Sequence, residues 1–262
     1  MLLCLDVGNS QILGGVYEGE SLRCTFRKST HPLATTDELG VFFAAALRAK
    51  GIEPAQITRI ALCSVVPAAL HALQRVCVEY HRTEPFILQA GVKTGLKVLY
   101  RNPHEVGADR IANAIGGTRR HPGRNLIIVD CGTATTFDVV TAAGEYLGGA
   151  ILPGVGVSAA ALAGHTAKLP HVQIVRPESP VGRTTHESIN SGLYHGHVGA
   201  MRHLIESITA EAFGGERPVV IGTGGFARLF ESERIFGEIV PELVLEGLVH
   251  AELLNRDLPR PH

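Results

Sequence analysis

The hydrophobic positions of the chain fall into short apolar runs separated by longer segments with helical periodicity. Short runs bounded by turn residues are typical of strands, and apolar positions three or four apart over ten or more residues are typical of helices. The predicted strands are 2–5, 12–17, 22–26, 57–66, 86–89, 126–129, 137–141, 146–151 and 218–221. Because helical segments alternate with these strands, the pattern predicts an α/β protein with layered sheets.

The predicted helices lie between the strands, and the first has clear end signals. Thr35 and Glu38 form a capping box at its start, and Gly51 supplies a stop signal. The predicted helices are 36–50, 68–81, 111–118, 185–213 and 246–253, and the Gly- and Ala-rich segment 153–162 is expected to turn into a helix.

Two segments that combine an acid, a glycine and a hydroxyl follow equivalent strands. The first is Asp6-Val7-Gly8-Asn9-Ser10, and the second is Asp130-Cys131-Gly132-Thr133-Ala134-Thr135. Each lies between two strand-like runs, so each is predicted to be a hairpin turn, and the repetition indicates a duplicated fold. A charged stretch with Pro and Gly, 119–124, lies between the copies and predicts domains of residues 1–118 and 124–262.

The residue types in these turns suit a nucleotide phosphate. A carboxylate can reach a hydrated magnesium ion, a glycine lets backbone N–H groups approach phosphate oxygens, and a hydroxyl donates a hydrogen bond. One such turn is weak evidence, since Asp and Gly are common in ordinary hairpins. The sequence has no Walker-type Gly-Lys-Ser/Thr loop, but a third Gly-rich turn, 222–225, follows a third strand. Together the three turns favour nucleotide binding.

Two other patterns permit different interpretations and are weaker. Residues 222–227 and 154–159 each match the dinucleotide pattern Gly-x-Gly-x-x-Ala. Neither follows the first strand of the chain, where that motif is expected. His195 and His197 are two positions apart on a predicted helix, so they do not face one another and do not predict a metal site.

An acid and a base stand side by side, as Asp109 and Arg110, just before the predicted helix 111–118. The ordinary interpretation is an acid at a helix N-terminus beside a solvated arginine. The same loop also carries Tyr100 and Asn102. Arginine makes bidentate contacts to carboxylates, and a neighbouring aspartate can accept a hydroxyl proton. The loop therefore also suits the binding of a small polar carboxylate.

The composition of the chain indicates which classes of partner the protein is not expected to bind and in which compartment it is expected to lie. The 24 Lys and Arg against 25 Asp and Glu leave a net charge of −1, which does not attract nucleic acid or an anionic membrane. No apolar run approaches the roughly 18 residues of a membrane span, and Asp6 comes too early for a signal-peptide core. The 5 cysteines are odd in number and form no CxxC pair, which favours a reducing compartment. We expect a cytoplasmic protein without nucleic-acid or membrane partners.

The ordered set of motifs resembles that of the type III pantothenate kinases, within the actin, sugar-kinase and heat-shock-ATPase superfamily. The resemblance covers most of the chain. The motifs that carry it are Asp6-x-Gly-Asn-Ser10, Ser64-Val-Val-Pro67, Tyr100-x-Asn-Pro103, Gly107-Ala-Asp-Arg110 with Asn113-Ala114, Asp130-x-Gly-Thr-Ala-Thr-Thr136-Phe-Asp138, Gly148-Gly149, Pro153-Gly154, Thr185 with Ser188, Ser191-Gly192 and Thr223-Gly-Gly225. The resemblance implies two similar, duplicated α/β domains of the actin-like ATPase (ribonuclease H-like) type with a nucleotide cleft between them.

The resemblance also implies an activity and its residues. The activity is ATP-dependent phosphorylation of pantothenate to 4'-phosphopantothenate, the first step of coenzyme A biosynthesis, with Asp109 as general base in a homodimer. Asp6 would reach Mg²⁺ through water, and Asp130 would help to bind a monovalent cation, K⁺ or NH₄⁺. The implied ATP-binding residues are Asp6, Val7, Gly8, Asn9, Ser10, Gln11, Ile12, Leu13 and Thr133. The implied pantothenate-binding residues are Tyr100, Gly107, Ala108, Asp109, Arg110 and Thr185.

Two alternative functions stay open at this level. One is another small-alcohol kinase or a phosphatase on the same fold, because only the loop 107–110 argues for pantothenate. The other is a non-catalytic accessory factor, since some members of this family resemble a factor linked to bacterial toxin gene expression. A purely regulatory protein could lose Asp109 or Asp130 without penalty, and this chain retains both.

Overall fold

The computed structural model describes residues 1–258, which group into two compact units. Unit 1 comprises residues 1–96, 100–120 and 243–258, and unit 2 comprises residues 97–99 and 121–242. Each unit is built on one sheet.

The elements of residues 1–258 follow one another in mixed α/β order. The strands are β1 (Leu2–Val7), β2 (Gln11–Glu18), β3 (Ser21–Ser29), β4 (Arg59–Ser64), β5 (Phe86–Ile87), β6 (Lys97–Val98), β7 (Leu126–Cys131), β8 (Ala134–Val140), β9 (Glu145–Pro153), β10 (Val219–Thr223) and β11 (Glu238–Ile239). The α-helices are α1 (Thr36–Ala49), α2 (Pro67–His81), α3 (Ala108–Arg120), α4 (Val155–Gly164), α5 (Thr185–Phe213) and α6 (Leu243–Asn255). Short 3-10 helices occur at Pro54–Gln56, Pro103–Glu105 and Ala227–Glu233.

The sheet of unit 1 has the order β3-β2-β1-β4-β5. The first three strands are antiparallel neighbours, while β4 runs parallel to β1 and β5 parallel to β4. The central strand β1 is apolar at nearly every position because both of its faces are covered. Leu3 and Leu5 pack in a cluster with Phe43 of α1, whereas Leu2 and Cys4 pack in a separate cluster with residues of α3 and α6.

The helices α3 and α6 pack closely within unit 1, and glycines permit the approach. A Cβ atom at Gly247 would overlap the carbonyl oxygen of Ala112, and one at Gly116 would press on the carbonyl oxygen of Leu243. The sequence placed residues 243–258 in a domain running from 124 to 262, and the structure instead groups them with unit 1, because α6 buries its apolar residues against α3 and β1. Residues 259–262 of that predicted domain lie outside the described residues.

The sheet of unit 2 has the order β11-β10-β7-β8-β9-β6. The strands β7, β8 and β9 form an antiparallel meander, while β10 runs parallel to β7 and β6 parallel to β9. Its core joins Ile127 and Val129 of β7 to Tyr194, Val198 and Met201 of α5. The long helix α5 therefore covers one face of this sheet.

Local predictions from the sequence are confirmed where the end signals are strong. The hairpins after β1 and β7 are present, and Thr35 with Glu38 forms a capping box at α1. Two helices start earlier than predicted: α3 at Ala108 and not at residue 111, and α6 at Leu243 and not at residue 246. As a result, Asp109 belongs to the first turn of α3 and not to a preceding loop. Within residues 1–258, no helix has the length and apolar character to cross a membrane.

Candidate active site

The first hairpin joins β1 to β2 through a turn formed by residues 8–10. The N–H of Gly8 donates to the carbonyl of Gln11 at 3.1 Å and closes this turn. Asp6 lies near the carboxyl end of β1, paired in parallel register with Cys63 of β4. Because the carboxyl ends of adjacent parallel strands meet at one edge of the sheet, the side chains of Asp6 and Cys63 are brought together there.

The Cys63 thiol is hydrogen-bonded to Asp6 and lies within electrostatic range of Asp109. Its Sγ donates to Oδ1 of Asp6 at 3.3 Å. Burial raises the pKa of the Cys63 thiol well above its ordinary value, and the charges of Asp6 and Asp109 raise this pKa further. Both carboxylates therefore lie within electrostatic range of one buried thiol, which stays protonated and serves as a donor.

Asp109 lies in the first turn of α3, where its carboxylate accepts the N–H of Arg110 at 2.8 Å. Burial raises the pKa of the Asp109 carboxyl above its ordinary value of 3.8, although the N–H and the guanidinium of Arg110 oppose this shift. A carboxyl with a raised pKa holds a proton more readily than an exposed aspartate does. It therefore suits the acceptance of a proton from a hydroxyl group.

The surroundings of Asp109 explain why residue 107 is a glycine. They also correct the interpretations of Arg110 as a solvated side chain and of Asn102 as a side chain available to a ligand. A Cβ atom at Gly107 would overlap the Asp109 carboxylate. Arg110 is only 8% exposed, so the interpretation of a solvated arginine is wrong. Asn102 accepts the N–H of His104 at 3.3 Å and donates to Glu105 at 2.8 Å, which occupies its side chain within its own loop.

The remaining predicted residues of this loop occupy less buried positions in unit 1. Tyr100 follows the short strand β6 and is half-buried, and Ala108 is the first residue of α3. The structure therefore places Asp6 and Asp109 near one buried thiol in unit 1, with Gly107 and Ala108 directly before Asp109 in the chain.

The second hairpin, in unit 2, joins β7 to β8. The N–H of Gly132 donates to the carbonyl of Ala134 at 3.0 Å, and Thr133 is exposed at the tip. The carbonyl of Thr133 accepts the N–H of Gly154, directly before α4, at 3.0 Å. A Cβ atom at Gly154 would overlap the backbone of this turn, so glycine is required for the approach.

The third Gly-rich turn folds onto Asp130. Asp130 of β7 pairs in parallel register with Thr223 of β10. Gly224 follows with a φ of +85°, and a Cβ atom there would overlap the Asp130 carboxylate. The N–H of Phe226 donates to the carbonyl of Cys131 at 3.0 Å and holds the turn in place. Asp130 thus lies in a glycine-lined cradle, and its carboxylate is the donor type that hard cations prefer.

Thr185 is the first residue of α5 and is exposed. Its neighbour Thr184 caps the helix by accepting the N–H of Glu187 at 3.2 Å. In the part of the chain that the structure describes, no group of three or more His, Cys, Asp or Glu side chains is arranged to hold a metal ion. A cation bound at Asp6 or at Asp130 would therefore need further ligands from the backbone, a substrate or water.

Two residues important to this geometry were missed from the sequence. The sequence pattern does not distinguish Cys63 from the other four cysteines, and it places Gly154 only within a Gly-rich motif. The signal for Cys63 was its position beside Ser64 at the end of an apolar strand, which would align it with Asp6 if the two strands were parallel neighbours. No local pattern indicates the contact between Gly154 and Thr133, because it joins residues from different elements.

Comparison with known proteins assigns the family. The family model described as type III pantothenate kinase matches residues 2–207. The chain belongs to the type III pantothenate kinase family. A protein named type III pantothenate kinase from Legionella pneumophila (strain Corby) is 51% identical over 255 residues, which cover 97% of this chain and 99% of that protein. One of the same name from Elusimicrobium minutum is 44% identical over 258 residues, which cover 98% and 100%.

Solved structures support the fold. A conserved putative Baf family transcriptional activator from Campylobacter jejuni superposes with a TM-score of 0.62 at 17% identity, covering 98% of this chain and 100% of that chain. A putative 2-dehydro-3-deoxygalactonokinase from Sinorhizobium meliloti gives a TM-score of 0.62 at 13% identity, covering 100% and 98%. At these identities the likeness concerns fold alone, and it confirms the predicted α/β fold of the actin-like ATPase type.

Proposed function

We propose that this protein transfers the γ-phosphoryl group of ATP to the primary hydroxyl of pantothenate, forming 4'-phosphopantothenate in the first step of coenzyme A biosynthesis. Membership of the family supports the substrate. The observation that carries the chemistry is the placement of Asp109, whose pKa is raised by burial and which shares the Cys63 thiol as a neighbour with Asp6.

Asp109 acts as the general base. It accepts the hydroxyl proton as the pantothenate oxygen attacks the γ-phosphorus, while the bond from that phosphorus to the β–γ bridging oxygen breaks and ADP leaves. Phosphoryl transfer depends mainly on positioning and electrostatic stabilisation, and one general base contributes roughly 100-fold to 10,000-fold. The buried guanidinium of Arg110 fixes the pantothenate carboxylate, a task suited to its planar fork of donors.

The two hairpins are assigned to ATP. Residues 6–13 in unit 1 and Thr133 in unit 2 contact the nucleotide through backbone N–H groups and hydroxyls. Asp6 is an oxygen donor suited to Mg²⁺ through water, and bound magnesium would neutralise charge on the phosphates. The glycine-lined cradle of Asp130 suits a monovalent cation, K⁺ or NH₄⁺.

The remaining assignments concern pantothenate and assembly. The residues proposed to contact pantothenate are Tyr100, Gly107, Ala108, Asp109, Arg110 and Thr185. We assign a homodimer as the functional form and the cytoplasm as its location, from the resemblance of the motifs and the cysteine content.

The test is a coupled ADP-release assay with ATP, Mg²⁺ and pantothenate, run in potassium and again in sodium alone, with the product identified by mass. Pantothenate-dependent turnover that requires potassium supports both the substrate and the Asp130 site. Turnover equal in both salts, or an Asp130→Asn variant that still requires potassium, removes the cation role of Asp130. Matched Asp109→Asn protein is the control for contaminating kinases.

The same assay decides between this function and its alternatives. ADP release that depends on another alcohol and not on pantothenate would assign a different small-alcohol kinase. No turnover in either salt, with ATP still bound in a calorimetric titration, would favour a regulatory accessory role.

A further inference from the structure

The residue directly after β3, Thr30, donates two hydrogen bonds to the turn formed by residues 8–10. Its Oγ1 donates to the carbonyl of Gly8 at 2.7 Å. Its backbone N–H donates to the carbonyl of Ser10 at 3.1 Å. Thr30 is only 3% exposed, so these donors are held in a buried environment. Thr30, which lies 22 positions after Gly8 in the sequence, therefore contacts the turn at both Gly8 and Ser10.

These two bonds determine which way the turn presents its amide groups. In a planar trans peptide the C=O and the following N–H point in opposite directions. With the Gly8 carbonyl directed at Thr30, the N–H of Asn9 points away from Thr30. With the Ser10 carbonyl likewise held, the N–H of Gln11 also points away from it. Both Asn9 and Gln11 are exposed.

The orientation matters for an anion. Successive backbone N–H groups in a turn form a concave site for phosphate oxygens, whereas a carbonyl oxygen in the same place repels them. Rotation of either peptide plane would exchange the N–H for a carbonyl oxygen. Such a rotation requires breaking a bond to Thr30.

We infer that Thr30 is a positioning residue for phosphate binding: by holding the Gly8 and Ser10 carbonyls, it keeps the N–H groups of residues 9 and 11 directed toward the phosphates of ATP. This inference rests on the proposed assignment of residues 6–13 to ATP. Thr30 itself does not contact the nucleotide. It acts through the turn.

The decisive variant is Thr30→Val, which keeps the size and β-branching of the side chain and removes only the hydroxyl. Loss of one such bond should raise the Kd and the KM for ATP by about fivefold to tenfold. The KM for pantothenate should stay unchanged, and amide hydrogen exchange of peptides covering residues 6–13 should accelerate. Thr30→Ser keeps the donor and should stay within about twofold of the parent in ATP affinity.

The matched control is Thr25→Val, the same substitution within β3, at a position that pairs with Gly15 and lies away from the turn. It should leave the Kd for ATP and exchange at residues 6–13 unchanged. A merely structural role of Thr30 predicts a lower melting temperature with unaltered ATP affinity, so the two readouts separate the roles. If Thr30→Val does not fold, Thr30→Ala carries the same expectations.

Two results overturn the inference. One is Thr30→Val protein that binds ATP as the parent does, and the other is Thr30→Ser protein that loses as much affinity as Thr30→Val. A parent protein that binds no ATP in calorimetry would instead overturn the proposed function, and the inference with it.

Discussion

The Cys63 thiol donates a hydrogen bond to the Asp6 carboxylate, with 3.3 Å between Sγ and Oδ1. The two residues are 57 positions apart and meet because β1 and β4 are parallel neighbours in matched register. The thiol is fully buried, and that burial keeps its pKa above the ordinary value, so it remains a donor at neutral pH. This hydrogen bond therefore orients the Asp6 carboxylate for its role in the proposed reaction.

Removal of this donor should lower the rate of the proposed reaction. Cys63→Ala should decrease kcat by roughly tenfold, because a hydrogen bond to a carboxylate contributes about 1–2 kcal/mol. Cys63→Ser keeps a hydroxyl donor in the same place and should recover most of the loss. Cys4→Ala removes a thiol from the same apolar cluster and serves as the packing control. Equal kcat values for the Ala and Ser variants of residue 63 would refute the role of its hydrogen bond.

Asp109→Asn should abolish most of the turnover without destabilising the fold. Turnover is expected to fall by roughly 100-fold to 10,000-fold, with ATP affinity nearly unchanged. Since burial raises the pKa of the Asp109 carboxyl in the folded protein, the folded state binds this proton more tightly than the unfolded state. The ionised carboxylate therefore lowers the free energy of unfolding as pH rises from the unfolded pKa through the folded pKa.

The effect of Asp109→Asn on stability is measured by thermal unfolding at neutral pH. The amide of Asn can still accept the N–H of Arg110 and carries no charge to desolvate. The melting temperature of Asp109→Asn should therefore equal or exceed that of the parent. A lower melting temperature combined with lost activity would indicate that Asp109 is mainly structural.

The pH dependence of kcat/KM for pantothenate should show an acid limb from the proposed base. Burial raises the pKa of Asp109, so the midpoint of the limb should lie above 3.8 and the rate should fall with unit slope below it. Asp109→Glu should move the midpoint, because the limb belongs to the enzyme. A midpoint that is identical in both proteins would assign the limb to a substrate instead.

Gly247→Ala should separate α3 from α6. A Cβ atom there would overlap the carbonyl oxygen of Ala112, so the free energy of unfolding should drop by about 1–3 kcal/mol, the typical cost of overpacking. Because α3 carries Asp109, turnover should decrease as well. The matched control is Gly199→Ala on α5, where a Cβ atom meets nothing within 4 Å. That variant should be as stable as the parent or up to about 1 kcal/mol more stable, as measured by urea unfolding.

The sequence predicts local structure well wherever the signals for a helix end or a turn lie within the same short segment. The capping box of Thr35 and Glu38 located the start of α1, and the apolar runs with acid-glycine turns located both hairpins. The sequence pattern places the start of α3 three residues late, because the charged pair Asp109 and Arg110 resembles part of the preceding polar loop. A short-range pattern thus identified the candidate residues but not the full helix that orients Asp109.

The amino-acid sequence specifies which residue types are available for chemistry: the acids of the two hairpins, the glycines beside them and the pair formed by Asp109 and Arg110. Which of these residues meet depends on the tertiary structure. Strand register places Cys63 against Asp6, and Thr30 against the turn that follows. Helix α6 returns to unit 1 through contacts made more than 100 residues away along the chain. Such contacts depend on which strands and helices pack together although they are far apart in the sequence. The hydrophobic periodicity of a segment shows that one of its faces is buried, but it does not show which other segment covers that face.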